Sequence, residues 1–482
     1  MILGAESLFI VFTPPRWRKD YKQALGLSGM VAAFVKKPEI TVPPLHRSRR
    51  VLALGLPIMA AMISQSLLNL VDAALVGRLG GDALAGVGLG GYAAFLSISV
   101  VIGLGAGVQA MVARRKGEGD ERQYALPLNA GLLVGLVLSL PLTALFLAIS
   151  GPMMHFLAPN APVAGLAEGY FDMRLLGIWA VAMNFCYRGY WNGISRSAVY
   201  MRTLITTHVA NVVLSYGLIF GRLGLPEMGA AGAGLGTTLS LYLGSLLYLL
   251  QTWKLGREHG FMTAWPSAST LRSIARVSIP NSVQQFFFSA GLTVLFWIIG
   301  MVGADEVAVA HVLITLILLL ILPAIGLGLA AASLVGQALG RRDAADAYRW
   351  GWDVTWLAVL MLFVTALPMW LVPEWILGLF LHQPDLVALG RVPLMITGLA
   401  ICLDGAAIIF TQALLGAGAS RSVMMVTLVV QWCLFLPLAY IIGPWLGFGL
   451  LGIWLAQALQ RLVTSSLLGG LWVRRSWAHI QL

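Results

Sequence analysis

Apolar runs long enough to cross a lipid bilayer recur along almost the whole chain. After residue 50 there are twelve of them, separated by short polar breaks, with approximate bounds 51–76, 84–112, 125–149, 163–188, 198–221, 229–253, 272–301, 306–336, 352–372, 386–415, 421–443 and 448–472. A helix needs about 20 apolar residues to span the hydrocarbon core. The pattern therefore predicts an all-α integral membrane protein with twelve transmembrane helices.

The composition excludes an ordinary soluble protein. Only 11% of the 482 residues are charged and 59% are hydrophobic, whereas soluble domains carry about 25% charged residues. The sequence has no G-x-x-x-x-G-K-[ST] phosphate loop, no H-E-x-x-H and no G-x-S-x-G. We therefore expect neither an enzyme nor a bound cofactor, and an ion gradient instead of ATP as the energy source.

The net charge is +11. The distribution of the basic residues along the chain indicates membrane orientation and not a nucleic-acid-binding face. Basic residues concentrate in residues 1–47 and in alternate loops, which is the bias of cytoplasmic loops. We expect residues 1–47 to form a basic cytoplasmic arm, and both termini to lie in the cytoplasm of a bacterial-type inner membrane. The expected partners are the lipid bilayer and small molecules, with no oligomer required. Translation from Met30 instead of Met1 stays open.

The chain also repeats itself. A shift of 223 residues aligns Leu54–Asp120 with Val277–Asp343 without a gap, and 16 of the 67 positions are identical. Each repeat holds six helices, so both enter the membrane in the same orientation. We predict two pseudo-symmetric six-helix lobes, 48–256 and 271–475, joined by a cytoplasmic linker at 257–270.

Polar residues inside these spans are candidates for function because charge in a bilayer is costly. Gln65, Asn69 and Asp72 share one face of the first helix, and the repeat replaces all three with apolar residues. This polar face is thus predicted for the first lobe alone. An interfacial position for Asp72 is the alternative.

Other spans carry further candidates. His208 and Asn211 share a face of the fifth helix, and Thr237 lies in the sixth. Asn211 and Asp72 offer the oxygen ligands that Na⁺ prefers, although no metal site is certain. In the second lobe, Asp404 lies between Thr397 and Thr411 on one face of the tenth helix. His208 and Asp404 also allow plain packing or structural roles, and His311 is a further candidate to line a cavity.

Several segments resemble the multidrug and toxic compound extrusion (MATE) family. They are Pro57 with Asp72-Ala-Ala-Leu-Val-Gly77-Arg-Leu-Gly80, Gly117-Glu-Gly-Asp120, Asn211 with Leu218-Ile-Phe-Gly221, and Leu414-Leu-Gly-Ala-Gly418. The resemblance implies an antiporter that exports small organic, often cationic, compounds in exchange for H⁺ or Na⁺.

The same resemblance implies roles for individual residues. Pro57 would bend the first helix, and Asp72, Asn211, Thr237 and Asp404 would couple transport to the ion. Gln65, Asn69, His208 and His311 are the tentative lining of the substrate cavity. Some members of the family carry an acidic residue in the seventh helix, and others carry one four residues after the Asn of the fifth helix. Residues 281–299 contain no acid and position 215 is Ser, which favours H⁺ over Na⁺.

Three other functions stay open. A flippase for lipid-linked precursors would have related lobes but a basic cavity. An integral-membrane enzyme would need clustered acidic or His motifs at a membrane face, and the seven His residues are scattered. A channel would share the polar helix face but would lack saturable counter-transport.

Overall fold

The computed structural model describes residues 43–480, and within that range the chain is helical between short turns. The predicted arm at 1–47, except its last five residues, and the alternative start at Met30 lie outside the described residues. The membrane helices are α1 Leu45–Gly77, α2 Gly81–Glu118, α3 Leu126–Leu157, α4 Ala161–Leu175 with Ile178–Gly193, α5 Ser197–Phe220, α6 Gly229–Gly256, α7 Ala268–Gly300, α8 Ala304–Gly340, α9 Ala344–Leu371, α10 Pro384–Gly416, α11 Ser420–Trp445 and α12 Gly449–Arg474.

These twelve helices confirm the predicted all-α membrane fold. Among the described residues, ten helices are long and apolar enough to cross a membrane on length and composition alone. The fourth span falls outside that set because it is built from two pieces of 15 and 16 residues. The twelfth, α12, is 26 residues long and carries Arg461 within it.

Two helices extend beyond the apolar segments that predicted them. The runs at 84–112 and 306–336 become α2, which ends at Glu118, and α8, which ends at Gly340. Arg114, Arg115 and Lys116 end the apolar run of α2, but charged residues do not end a helix. Gly119 does, with φ of 84° and its N–H bonded to the last carbonyls of α2.

The two lobes pack symmetrically about an axis between α2 and α8. A Cβ on Gly117 would lie 2.1 Å from the Gln337 carbonyl oxygen, and one on Gly340 would lie 2.1 Å from the Arg114 carbonyl oxygen. Gly117 and Gly340 are related by the repeat shift of 223 residues, and so are Arg114 and Gln337. The internal repeat therefore exists in three dimensions as well as in sequence. We call this end of the molecule, where α1 begins and α12 ends, the basic end.

Polar contacts between the lobes also lie toward the basic end. Gln109 of α2 donates to the Leu329 carbonyl at 2.7 Å and to Ser333 at 3.0 Å. Gln337 of α8 donates to the Gly193 carbonyl at 2.9 Å and to Ser195 at 2.7 Å. Arg47 at the start of α1 forms ion pairs with Asp346 and Asp353 of α9 and lies over Trp350. The lobes are thus closed against each other at this end.

The break in α4 exposes backbone carbonyls that must find other partners inside a membrane. Hydroxyl groups of neighbouring helices supply them. Thr238 donates to the Met173 carbonyl at 2.7 Å, Tyr242 to the Leu176 carbonyl at 2.8 Å and Thr143 to the Leu175 carbonyl at 3.2 Å. Neighbours α3 and α6 therefore hold α4 in its broken form.

Candidate functional site: a polar layer in the first lobe

Helices α1 and α5 run side by side in parallel register. Ser197 donates to the Leu54 carbonyl at 2.9 Å, and His208 Nε2 lies 3.1 Å from Gln65 Oε1. Both contacts join residues 143 apart. The register is the same on either side of Pro57, and α1 continues through this proline. Since both helices rise about 1.5 Å per residue, the same offset puts Asp72 level with Ser215.

Three of the four expected cavity residues form one hydrogen-bonded chain. Gln65 bonds to His208 through its oxygen and donates through its nitrogen to Asn69 at 3.2 Å. The other ring nitrogen of His208 lies 2.7 Å from the Ser64 hydroxyl, a partner that the sequence analysis did not identify. His311 lies apart from this chain, on α8 of the second lobe, where its ring is next to Phe296.

Asn211 and Thr237 lie together between α5 and α6. Asn211 is buried, donates to Ser240 at 3.3 Å and accepts from Ser215 at 3.2 Å. Thr237 donates to the Ala233 carbonyl at 3.0 Å, and its own carbonyl accepts from Ser240 at 2.7 Å. The Asn211 oxygen therefore has one lone pair engaged and one free to accept.

Charged side chains of α1 and α4 lie at the same level as Asn211 and Thr237. Asp72 and Asp172 each have a buried Oδ1 without a hydrogen-bond partner, and Arg174 has two such nitrogens, Nε and Nη1. Arg174 is the charged group that acts electrostatically on the Asp72 carboxylate. The Thr238–Met173 bond sets α4 and α6 in a parallel register of 65 residues, which puts Asp172 level with Thr237. The sequence analysis named neither Asp172 nor Arg174 as a site residue.

These residues form what we call the first-lobe polar layer: Asp72, Asp172, Arg174, Asn211, Ser215 and Thr237. With both acids ionised, the layer contains two carboxylates and one guanidinium, so it carries one negative charge in excess. Carboxylate, amide and hydroxyl oxygens are suitable partners for a proton or a hard monovalent cation. The described residues contain no group of three His, Cys, Asp or Glu side chains that could hold a metal ion.

The second lobe has a different arrangement. Asp404 of α10 lies 2.8 Å from the Arg461 guanidinium of α12, and Trp454 of α12 donates to Thr397 at 2.9 Å. Both contacts join residues 57 apart, and the same offset places Thr411 opposite Leu468. The polar face of α10 is thus directed at α12. The N–H bonds of Arg461 Nη1 do not point at a carboxylate oxygen, so the contact is one of charge and not a hydrogen bond.

Arg461 is the clearest omission of the sequence analysis. It lies in the middle of the predicted span 448–472 and is 9% exposed. An arginine inside an apolar run needs a partner as much as an aspartate does. That requirement was the available signal for the Asp404–Arg461 pair.

Two six-helix lobes closed at one end, with buried polar groups inside, define a membrane transporter. The MatE family profile matches residues 57–217 and 280–441, one segment in each lobe and together more than half of the chain. The chain therefore belongs to the MatE family, as its resemblance to MATE transporters predicted.

Relatives match over nearly the whole length. The chain is 27% identical over 466 residues to a probable multidrug resistance protein NorM of Thermotoga maritima, covering 91% of this chain and 96% of the relative. It is 29% identical to a protein of the same description from Bradyrhizobium diazoefficiens, with 90% and 95% covered.

Solved structures agree on the fold. An outward-facing MATE transporter of the MOP superfamily superposes with a TM-score of 0.83 at 23% identity, over 90% of this chain and 97% of that one. A MOP superfamily transporter from Pyrococcus furiosus gives a TM-score of 0.82 at 23% identity, with 90% and 97% covered. At this identity the likeness concerns the fold alone.

Proposed function

We propose that the protein exports small organic, often cationic, compounds in antiport with an ion, by alternating access of its two lobes. The multidrug names of its relatives support the substrate class. The observation that carries the antiport proposal is the excess negative charge of the first-lobe polar layer. A carboxylate that is not neutralised by its neighbours is a place for a cation to bind and leave.

The proposed ion site comprises Asp72, Asn211 and Thr237, with Asp172 as an additional acid. A proton is favoured over Na⁺ because the Asn211 oxygen already accepts from Ser215 and has one lone pair left, whereas a proton needs no further ligands. Neutralising the layer would change its attraction for Arg174 and for a cationic substrate. Binding of an ion or a substrate shifts the equilibrium between the two arrangements of the lobes only as far as its affinities for the two arrangements differ.

The hydrogen-bonded chain of Gln65, Asn69 and His208 is proposed to face the substrate. Gln65 and Asn69 are exposed and are not covered by other parts of the protein. They precede Asp72 on α1 by about two turns and one turn, so they lie on the side of the polar layer that is nearer the basic end. A polar face that is not covered by protein must border water or ligand and not lipid. The basic end is proposed to face the cytoplasm, since basic loops concentrate there.

Transport by the purified protein in proteoliposomes tests this proposal. A fluorescent organic cation is followed while a pH gradient or a Na⁺ gradient is imposed separately. We expect saturable uptake driven by the pH gradient, reduced at least about tenfold in Asp72→Asn. Asp82→Asn, which removes an exposed carboxylate at the start of α2, is the matched control and should transport normally.

Other outcomes would change the proposal. Uptake driven only by Na⁺ would replace the proton with Na⁺ at the same site. Non-saturable flux without counter-transport would indicate a channel. If Asp72→Asn and wild type transported equally well, the coupling site would lie elsewhere.

A further inference from the structure

The buried charged groups of the two lobes differ in balance. In the first lobe, the polar layer contains two carboxylates, Asp72 and Asp172, and one guanidinium, Arg174. In the second lobe, the one carboxylate at Asp404 faces one guanidinium at Arg461, 2.8 Å away. The first-lobe polar layer therefore carries one excess negative charge when both acids are ionised, and the Asp404–Arg461 pair carries none.

The Arg461–Asp404 contact is built into the helix packing. Arg461 is 9% exposed and the Asp404 side chain 18%. Trp454 and Thr397, two turns further along the same helices, bond in the same register. The register of α10 and α12 therefore keeps the guanidinium within reach of Asp404.

We propose that Arg461 is a tethered counter-ion that takes the place of a free cation at Asp404, so that ion exchange is confined to the first lobe. Arg461 is then the residue that determines which lobe binds the coupling ion. The functional importance of Arg461 rests on the proposed antiport. The claim about cation binding at Asp404 does not, because binding can be measured without transport.

The physical reason is charge balance. A carboxylate held near a fixed guanidinium has little further gain from binding Na⁺, and the guanidinium repels a second cation. If the arginine is replaced by an uncharged side chain, Asp404 stays buried without a counter-ion. A buried charge without a partner is costly, so the site should then take up a cation from solution.

The test compares thermal stability and ²²Na⁺ binding of purified protein at pH 8 in NaCl and in choline chloride. Every variant carries Asp72→Asn, which removes the main first-lobe site. In this background we expect no Na⁺ response with the Arg461–Asp404 pair intact. Arg461→Gln should gain saturable Na⁺ binding and a Na⁺-dependent rise in Tm of about 1–2 °C at tenfold excess over Kd.

Two controls separate charge from shape. Arg461→Lys keeps the positive charge and should show no Na⁺ response. The double change Asp404→Asn with Arg461→Gln removes both charges and should show none either. If Arg461→Gln does not yield folded protein, the comparison of the intact pair with the double variant still tests whether Asp404 binds Na⁺ beside Arg461.

The inference would be overturned by Na⁺ binding with the pair intact that disappears in the double variant, because Asp404 would then already bind a cation. Folded Arg461→Gln without any Na⁺ response would overturn it too. Neither result depends on transport. A protein that fails to transport in liposomes would refute the proposed antiport and leave this binding result unchanged.

Discussion

Gly117 and Gly340 meet at the centre of the basic end, where a Cβ on either would lie 2.8 Å from the Cα of the other. The repeat relates the two residues, so the pseudo-two-fold axis passes between them. Since no side chain fits there, the backbones of α2 and α8 touch directly. The closure of the lobes at this end depends on that approach.

Gly117→Ala should open the basic end. The added methyl group would collide with the Gln337 carbonyl and with Gly340, and overpacking of this kind costs about 1–3 kcal/mol. We expect a lower Tm and faster labelling of a cysteine introduced at Ser333, which is buried between the lobes. Gly88→Ala on the same helix is the control, because nothing lies within 4 Å of its Cβ position. Equal effects of both changes would contradict the prediction.

Arg47→Gln should detach the start of α1 from α9. The change removes the ion pairs to Asp346 and Asp353, which leaves Asp353 without its cation and Asp346 with Arg341 alone. We expect a loss of about 2 kcal/mol in stability, measured as a lower Tm. Arg49→Gln, at an exposed position on the same helix, should have almost no effect. A similar loss in both variants would mean that the arginines act through general charge.

Asp404→Asn should be more damaging alone than when combined with Arg461→Met. The single change leaves a buried guanidinium without its partner, at a cost of about 3–5 kcal/mol, whereas replacing a buried pair as a unit is often neutral. Thermal unfolding of the two variants in the same detergent measures the difference. If the double variant were as unstable as the single one, the pair would have a packing role beyond its charge.

Stability should fall in mildly acidic solution because of His259. Burial lowers the pKa of this histidine from its ordinary value of 6.5, and its ring lies 2.9 Å from the Tyr190 hydroxyl. The unfolded chain therefore takes up a proton at higher pH than the folded protein does. The contribution of the neutral ring is complete above pH 6.5 and declines as the pH falls through the lower folded pKa.

Tm measured from pH 8 to pH 5 checks this expectation. His259→Gln should flatten the acidic part of the curve. His479→Gln, which lies far along the chain from Tyr190 and His259, should leave it unchanged. An identical acidic decline in all three proteins would contradict it.

The helices and the polar face of α1 could be predicted because both depend on local periodicity. Gln65 and Asn69 share a face by their spacing alone, and they do bond to each other. The contact of Gln65 with His208 depends on the register of α1 against α5, which is set by packing over many residues. One sequence gives the faces of two helices but not their relative height.

The charged partners were harder to predict for a different reason. Asp404 was selected because a carboxylate in a span is rare, yet Arg461 in the twelfth span is just as rare and was counted only as part of the helix. The spacing of Arg174 and Asp172 shows only that they are neighbours on α4. Arg174 also acts electrostatically on Asp72 of α1, a relation between helices that sequence spacing does not contain.

The broken fourth helix and the arginine in the twelfth have a consequence for biogenesis. Neither span is among the ten described helices that are long and apolar enough to cross a membrane on length and composition alone. A lone arginine at the membrane centre costs about 2.5–3.5 kcal/mol on insertion, and Arg461 avoids it only beside Asp404. Helix α12 should therefore remain at the insertion machinery until α10 is in place and Asp404 can pair with Arg461. Insertion of α12 and assembly of the second lobe would then be one event.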